Sequence, residues 1–124
     1  MVKASEVMSG SVLTANPDMK LSDVIKLLVK NNVTGLPVVD DDMNLLGVVT
    51  EKDILKVLYN KEKVRAVQDL MSRNVVSFDE NEDLIKIFRS LVENSFRRVP
   101  ITSSGKLVGI ISRRDIIKFI HERM

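Results

Sequence analysis

The chain has 124 residues, a formal net charge of +2, no cysteine and one histidine. The absence of cysteine rules out disulfides, thiolate nucleophiles and thiolate metal ligands, and the single histidine, His121, lies close to the C-terminal end of the sequence. The usual groups for acid–base, nucleophilic and metal-dependent catalysis are therefore mostly missing, and we predict that the protein is not an enzyme.

Hydropathy and charge patterning also limit the partners. No apolar run approaches the roughly 18 residues of a membrane span, and the polar residues 1–6 carry no targeting signal, so we expect no membrane association and a cytoplasmic location. Basic residues are interleaved with acidic ones, which disfavours nucleic-acid binding. An anionic ligand would have to be held by a local site.

The first half of the chain predicts a mixed series of elements. A short strand is expected at residues 12–14, followed by an amphipathic helix with apolar residues at helical spacing from Leu21 to Leu28. Two strands, at residues 36–39 and 45–49, flank a polar turn that begins with three aspartates. A second helix is expected with Ile54, Leu55 and Leu58 as its apolar residues, and Tyr59 at its end is expected to be a packing residue.

The second half repeats this series. Met8-Ser9 matches Met71-Ser72, Leu28 matches Leu91, and Pro37 matches Pro100. A strand is expected at residues 75–78, a helix from Leu84 to Leu91, strands at 99–101 and 107–111, and a last helix whose apolar residues include Ile116, Ile117 and Ile120. We therefore predict an α+β fold of two β-α-β-β-α repeats, residues 1–63 with the linker and residues 64–124.

The most informative motif is a hydroxyl residue followed three positions later by an aspartate. Thr50-x-x-Asp53 and Ser112-x-x-Asp115 each stand where a strand hands over to a helix. One interpretation is a capping box at the helix N-terminus. The other is a ligand site, in which the helix N-terminus and the hydroxyl bind a phosphate and the carboxylate accepts ribose hydroxyls. Residue pattern alone leaves both open.

Two neighbouring features favour the ligand interpretation. Gly47 and Gly109 precede the hydroxyl residues by three positions, where a missing side chain would let a flat base or sugar approach the strand. Arg97 and Arg98, just before the second hairpin, carry guanidinium groups suited to phosphate oxygens. By contrast, Asp40 to Asp42 match Ser103-Ser104-Gly105 in the other copy, which indicates a solvated turn and not a cation site.

The duplicated pattern of a Pro-containing strand, a turn, and Gly-h-h-[Ser/Thr]-x-x-Asp, where h is an apolar residue, resembles the tandem cystathionine-β-synthase (CBS) domain pair, or Bateman module. The resemblance covers essentially the whole chain. It implies pseudo-two-fold symmetry, two clefts between the repeats, and a homodimer formed through helical faces. It also implies AMP, ADP or ATP as a regulatory ligand rather than a catalytic cofactor.

The resemblance assigns residues to each cleft. Asp115 and Ser112 would hold ribose and phosphate in one cleft, and Asp53 and Thr50 in the other. The strand from the opposite repeat would place Leu13 and Thr14 near Asp115, and Val76 and Ser77 near Asp53. Arg97 and Arg98 match a basic position that often reaches phosphate, whereas the first copy has Thr34-Gly35 there, so we expect tighter binding at Asp115. Ligand binding would act on a partner protein or dimer mate. The alternative is a structural interaction module with empty clefts.

Overall fold

The computed structural model describes residues 1–124, which form four α-helices, five β-strands and two 3₁₀ turns. The 3₁₀ turns span Ala4–Glu6 and Val67–Asp69. In chain order the helices and strands are α1 (Leu21–Asn31), β1 (Gly35–Val39), β2 (Leu45–Thr50), α2 (Glu51–Tyr59), β3 (Phe78–Asp79), α3 (Leu84–Glu93), β4 (Arg98–Ser103), β5 (Lys106–Ser112) and α4 (Arg113–His121). The predicted α+β class is confirmed.

Each repeat is built around one antiparallel hairpin. In the first, β1 pairs with β2 from Gly35 opposite Thr50, and in the second, β4 pairs with β5 from Arg98 opposite Ser112. Both hairpins shift register near the turn, between Val38 and Val39 and at the matching point of β4. The two copies therefore share their irregularities as well as their regular elements.

The strand that precedes the first helix of each copy is shorter than predicted. In the second copy β3 contains two residues and runs parallel to β4, with Phe78 opposite Ile101. In the first copy residues 12–14 form no strand, and a single parallel bridge joins Ala15 to Val38. The strand predicted at 12–14 is therefore wrong, and of the strand predicted at 75–78 only Phe78 is paired with the hairpin of its own copy.

The polar turn of the first hairpin is held by Asp40. Its Oδ1 accepts hydrogen bonds from the backbone N–H groups of Asp42 and Asn44, both at 2.9 Å, and its Oδ2 accepts one from the Asn44 side-chain amide at 3.0 Å. The prediction of a polar turn at these aspartates is confirmed. No group of three or more His, Cys, Asp or Glu residues in the chain is arranged to hold a metal ion.

The compact units of the structure do not coincide with the sequence repeats. Residues Leu13–Val75 form one unit, here called the central unit, and Met1–Val12 together with Val76–Met124 form the other, the terminal unit. The first residues of each sequence copy therefore pack with the hairpin and helices of the other copy. The boundary between residues 63 and 64 stays a prediction about the sequence repeat.

Equivalent backbone hydrogen bonds hold the exchanged segments in place. In the terminal unit the Ala4 N–H donates to the Glu82 carbonyl at 2.9 Å, and in the central unit the Val67 N–H donates to the Met19 carbonyl at 2.9 Å. Ala4 and Val67 are completely buried. Each leading 3₁₀ turn thus docks at the start of a helix from the other sequence copy.

Each unit has its own apolar core. The central core is built from Ala15, Val24, Leu28, Leu36, Val38, Val49, Ile54, Val67 and Met71, and the terminal core from Ala4, Leu84, Ile87, Leu91, Val99, Ile101, Ile111 and Ile116. Aliphatic side chains supply these cores, which agrees with the 4% aromatic content. No helix of the chain is both long and apolar enough to cross a membrane.

The second helix of each copy buries fewer residues than its apolar pattern predicts. On α2, Ile54 is buried, but Leu55, Leu58 and Tyr59 are 65%, 56% and 87% exposed. On α4, Ile116 is buried, while Ile117 and Ile120 are 65% and 41% exposed. The prediction of Tyr59 as a packing residue is wrong, and the other four residues are also exposed because only one narrow face of each helix contacts its hairpin.

Candidate functional site

In the central unit, Thr50 and Asp53 form a reciprocal capping box at the start of α2. The Asp53 N–H donates to Thr50 Oγ1 at 3.3 Å, and the Thr50 N–H donates to Asp53 Oδ2 at 2.9 Å. The Thr50 hydroxyl also donates to Oδ2 at 2.9 Å. Both side chains are half-buried, and they lie where β2 ends and the helix begins.

In the terminal unit, Ser112 and Asp115 repeat this geometry at the start of α4. The Asp115 N–H donates to Ser112 Oγ at 3.1 Å, and the Ser112 N–H donates to Asp115 Oδ2 at 2.8 Å. The capping interpretation of both motifs is confirmed. It accounts for one oxygen of each carboxylate, because no hydrogen bond reaches Oδ1 of Asp53 or of Asp115. A second acceptor therefore remains at the end of each hairpin.

Arg98 lies directly opposite Ser112 in the hairpin register. Its Nε is buried and has no hydrogen-bond partner, although a buried N–H donor normally finds an acceptor. Arg97 is exposed, and its carbonyl accepts a hydrogen bond from the Arg113 N–H at 3.0 Å. The structure thus places both predicted arginines on the backbone segment that pairs with the start of α4.

The two motif glycines meet protein and not an open face. A Cβ added at Gly47 would lie 2.6 Å from the Ser72 carbonyl oxygen and 3.0 Å from Met71 Sδ. A Cβ added at Gly109 would lie 2.5 Å from Met8 Sδ. The prediction that these glycines admit a flat ligand is wrong, because the exchanged Met-Ser segment of the other sequence copy occupies that side of the strand.

These contacts between methionine and glycine were not predicted from the sequence. Met8-Ser9 and Met71-Ser72 were visible as matched positions of the repeat, but nothing local tied them to a glycine in the other copy. In the structure Ser9 bridges to Ile110, and Ser72 bridges to Val48, each beside the glycine. The matched Met-Ser pairs were the one feature of the sequence that could have indicated this packing.

The four predicted strand residues are divided between the units. Leu13 and Thr14 belong to the central unit, whereas Val76 and Ser77 belong to the terminal unit. The apolar members of both pairs are partly exposed, Leu13 by 36% and Val76 by 44%. Their assignment to a shared site, Leu13 and Thr14 with Asp115 and Val76 and Ser77 with Asp53, stays a prediction.

Two hairpin-and-helix units, each with a hydroxyl-x-x-Asp cap at the strand-to-helix junction, define a tandem module of the CBS type. The family model described as CBS domain matches residues 4–60 and 67–122. The chain therefore belongs to the CBS domain family and contains two copies of the domain.

Solved structures share the fold over nearly the full length. The AMP complex of CBSX2 has 30% identity and a TM-score of 0.90, and the comparison covers 99% of this chain and 98% of that one. A second structure, that of the CBS-pair protein CBSX2 from Arabidopsis thaliana, matches this chain with a TM-score of 0.86. The CBS domain pair of MJ0100, in complex with 5'-methylthioadenosine and S-adenosylmethionine, has 25% identity and a TM-score of 0.83, covering 100% and 99%.

Curated relatives include larger proteins. MJ1225 of Methanocaldococcus jannaschii is 34% identical over 93% of this chain, and inosine-5'-monophosphate dehydrogenase of the same organism is 32% identical over 94%. The chain spans 41% of the length of MJ1225 and 23% of the dehydrogenase. The shared region is therefore a minor part of that enzyme.

Proposed function

We propose that this chain is a regulatory module that binds an adenosyl ligand, with AMP, ADP or ATP as the candidates, and that it has no catalytic role. The observation that carries the proposal is the unused carboxylate oxygen of each capping aspartate. Oδ2 of Asp53 and of Asp115 holds the helix cap, while Oδ1 receives no hydrogen bond. A carboxylate oxygen has two lone pairs, so Oδ1 can accept the hydroxyls of a ribose.

The comparisons support this ligand class. CBSX2 was solved with AMP, and the MJ0100 domain pair with 5'-methylthioadenosine and S-adenosylmethionine. All three molecules carry an adenosine group, whose ribose presents a hydroxyl pair. The buried Nε of Arg98, which has no acceptor, supports a ligand with phosphate oxygens over one without them.

The proposed mechanism is a population shift. A ligand that binds one arrangement of the module better than another changes the balance between them by its difference in affinity. A partner protein or a dimer mate would respond to that change. The location of the protein in the cytoplasm and the identity of a regulated partner stay predictions.

The experiment separates ligand binding from helix capping. Isothermal titration with AMP, ADP, ATP and S-adenosylmethionine would be run on the wild type and on Asp53→Asn and Asp115→Asn. Asparagine keeps an oxygen that can cap the helix but replaces the second acceptor by an amide donor. We expect at least one ligand to bind the wild type and at least one variant to weaken it by about 10-fold, as loss of a charge-assisted hydrogen bond predicts.

A matched control is available at the start of α3. Asp83 also caps its helix, because its Oδ1 accepts the Ile85 N–H at 3.1 Å, but it follows no hairpin strand. Asp83→Asn should leave ligand affinity unchanged. If none of the four ligands binds the wild type, the proposal is wrong. The structural interaction module then becomes the better explanation, because the caps alone account for both motifs.

We also propose that a second copy of the chain covers the exposed apolar residues of α2 and α4. Leu55 and Leu58 on α2 match Ile117 and Ile120 on α4, and all four are at least 41% exposed. The two repeats of one chain thus present the same pair of apolar residues, which suits the self-complementary interface of a two-fold dimer.

The double variant Leu58→Lys with Ile120→Lys should yield a monomer in analytical ultracentrifugation. Val29→Lys, an apolar position 76% exposed on α1, should remain dimeric. A wild type that is already monomeric would contradict this proposal.

A further inference from the structure

The first helices of the two sequence copies carry opposite charges at matched surface positions. Three positions are inverted between α1 and α3 and their first flanking residues: Lys20 matches Asp83, Asp23 matches Lys86, and Lys30 matches Glu93. The buried positions of the same helices stay apolar in both copies, with Val24 matching Ile87 and Leu28 matching Leu91. The two copies therefore share a core pattern but differ in surface charge.

Most of these charges have no partner within the chain. Lys20, Lys30 and Glu93 are exposed and form no ion pair, since the one ion pair of the protein joins Lys86 to Glu82. Asp83 is used only in part, because its Oδ1 caps α3 while the charge of the carboxylate is not paired. These groups are therefore free to interact with charges on another molecule.

A groove along α1 forms the basic surface of the central unit. It has a volume of about 550 Å³, and its lining includes Lys20, Lys26 and Lys30 together with the half-buried Met19 and Leu27. The same groove is also lined by two aspartates, Asp18 and Asp23, and by Asn16. Because ammonium groups surround apolar side chains here, the groove suits a protein face that carries an excess of carboxylates.

The matched surface of the terminal unit is acidic. The segment before α3 contains Asp79, Glu80, Glu82 and Asp83, and Glu93 is the last residue of the helix. Of these five carboxylates, only that of Glu82 is in an ion pair. The central and terminal units of one chain thus present surfaces of complementary charge at the same place in the repeat.

Two-fold symmetry decides which units can meet through these surfaces. Between like units, central with central or terminal with terminal, a residue near the axis faces its own copy. Lys20 and Lys30 would then face lysines, and Asp83 and Glu93 would face acidic residues, which disfavours the contact. Between unlike units the same places are taken by residues of opposite sign.

We propose that two copies of the chain associate head to tail, with the central unit of each chain against the terminal unit of the other. The basic groove then lies against the acidic surface of the second copy, beside the apolar residues of α2 and α4. The inference rests on the dimer put forward with the proposed function and adds its orientation. A ligand held in the central unit would be sensed by the terminal unit of the second chain.

Charge reversal tests the orientation, because the two arrangements predict effects of opposite sign. In analytical ultracentrifugation of the full chain, Lys20→Glu and Glu93→Lys should each raise the dimer dissociation constant by about 3- to 30-fold, since each change affects two symmetric contacts. The double variant Lys20→Glu with Glu93→Lys should return to within about 3-fold of the wild type, because it restores opposite charges. Added salt should reduce the differences between the variants.

These substitutions are compatible with folding. Lys20→Glu places an acid at the start of α1, and Glu93→Lys places a base at the end of α3, so both favour the helix dipole. Weaker association therefore cannot be explained by loss of these helices, and circular dichroism of each variant checks this. Lys106→Glu is the matched control, because it makes the same charge change at the exposed start of β5, and it should leave the dissociation constant unchanged.

Three results would overturn the head-to-tail orientation while the dimer stands. Tighter association of the single variants would mean that like units meet. Unchanged association of both would mean that these surfaces lie outside the interface, and a double variant no better than the single ones would mean that the two positions do not face each other. A monomeric wild type would overturn the orientation and the dimer together, whereas binding of an adenosyl ligand is measured separately by titration.

Discussion

Alanine at the two motif glycines should destabilise the protein by different amounts. At Gly47 the added Cβ would lie 2.6 Å from the Ser72 carbonyl oxygen, which is backbone and cannot rotate away. That carbonyl accepts the Val48 N–H at 2.9 Å, and the Ser72 N–H donates back to Val48 at 2.9 Å, so a shift disturbs two hydrogen bonds. Overpacking together with these bonds predicts a loss of about 2–4 kcal/mol for Gly47→Ala.

At Gly109 the nearest atom belongs to a flexible side chain. The Cβ would lie 2.5 Å from Met8 Sδ and 2.8 Å from Met8 Cγ, whereas the Ser9 carbonyl oxygen is 3.0 Å away. Methionine can move by rotamer change, so we expect Gly109→Ala to lose about 1–2 kcal/mol. Met8→Ala should relieve most of that loss in the double variant, because it removes the obstructing atoms. Met71→Ala should relieve little of the Gly47→Ala loss.

Urea unfolding followed by far-UV circular dichroism measures these differences, since the chain has no tryptophan and only one tyrosine. Gly10→Ala is the control, because its Cβ would meet only the Val108 carbonyl oxygen at 3.9 Å, and we expect a change within about 0.5 kcal/mol. If both motif variants are as mild as this control, or if Met71→Ala rescues Gly47→Ala fully, the exchanged segments do not pack as described.

Substitutions at three further features give separate tests. Thr50→Ala and Ser112→Ala each remove a helix cap and should lower the free energy of unfolding by about 1 kcal/mol. Thr50→Ser keeps the hydroxyl and should not lower it. Equal losses for the alanine and serine variants at Thr50 would argue against the cap. Gly105→Ala meets no atom within 4 Å but has a φ of 79°, so a loss of about 1 kcal/mol should come from backbone conformation alone, and no loss would mean that the turn relaxes. Arg114→Glu should raise the free energy of unfolding by about 0.3–1 kcal/mol because it places a negative charge in the first turn of α4, and a drop in stability would contradict this dipole effect.

The hairpins and helices could be predicted because their signals are local. Residues 36–39 and 45–49 are apolar runs separated by turn residues, and β1 and β2 contain them. The exchange of leading segments could not be predicted in the same way. A repeat gives both copies the same residues, so Met8 suits the hairpin of either copy equally well in sequence. Which glycine it covers is decided by the path of the chain.

Helix periodicity also could not determine burial. Ile116 and Ile117 are both isoleucine, yet one is 4% and the other 65% exposed. Hydrophobic spacing identifies the residues that avoid water but not the number of surfaces that cover them. The excess of apolar residues on α2 and α4 over what their hairpins bury is the difference that the proposed dimer explains.

The choice of aspartate in both motifs follows from the geometry of the cap. A capping box usually uses Glu or Gln at this position, whose longer side chain reaches back to the N-cap N–H. Here Asp53 and Asp115 reach that N–H at 2.9 and 2.8 Å with one oxygen, which holds the carboxylate against the end of the hairpin strand. The other oxygen is thereby fixed before any ligand arrives, and a fixed acceptor loses less conformational freedom on binding. Helix capping and the proposed ligand binding would then be two uses of one oriented side chain, so the confirmed cap supports the proposed site instead of replacing it.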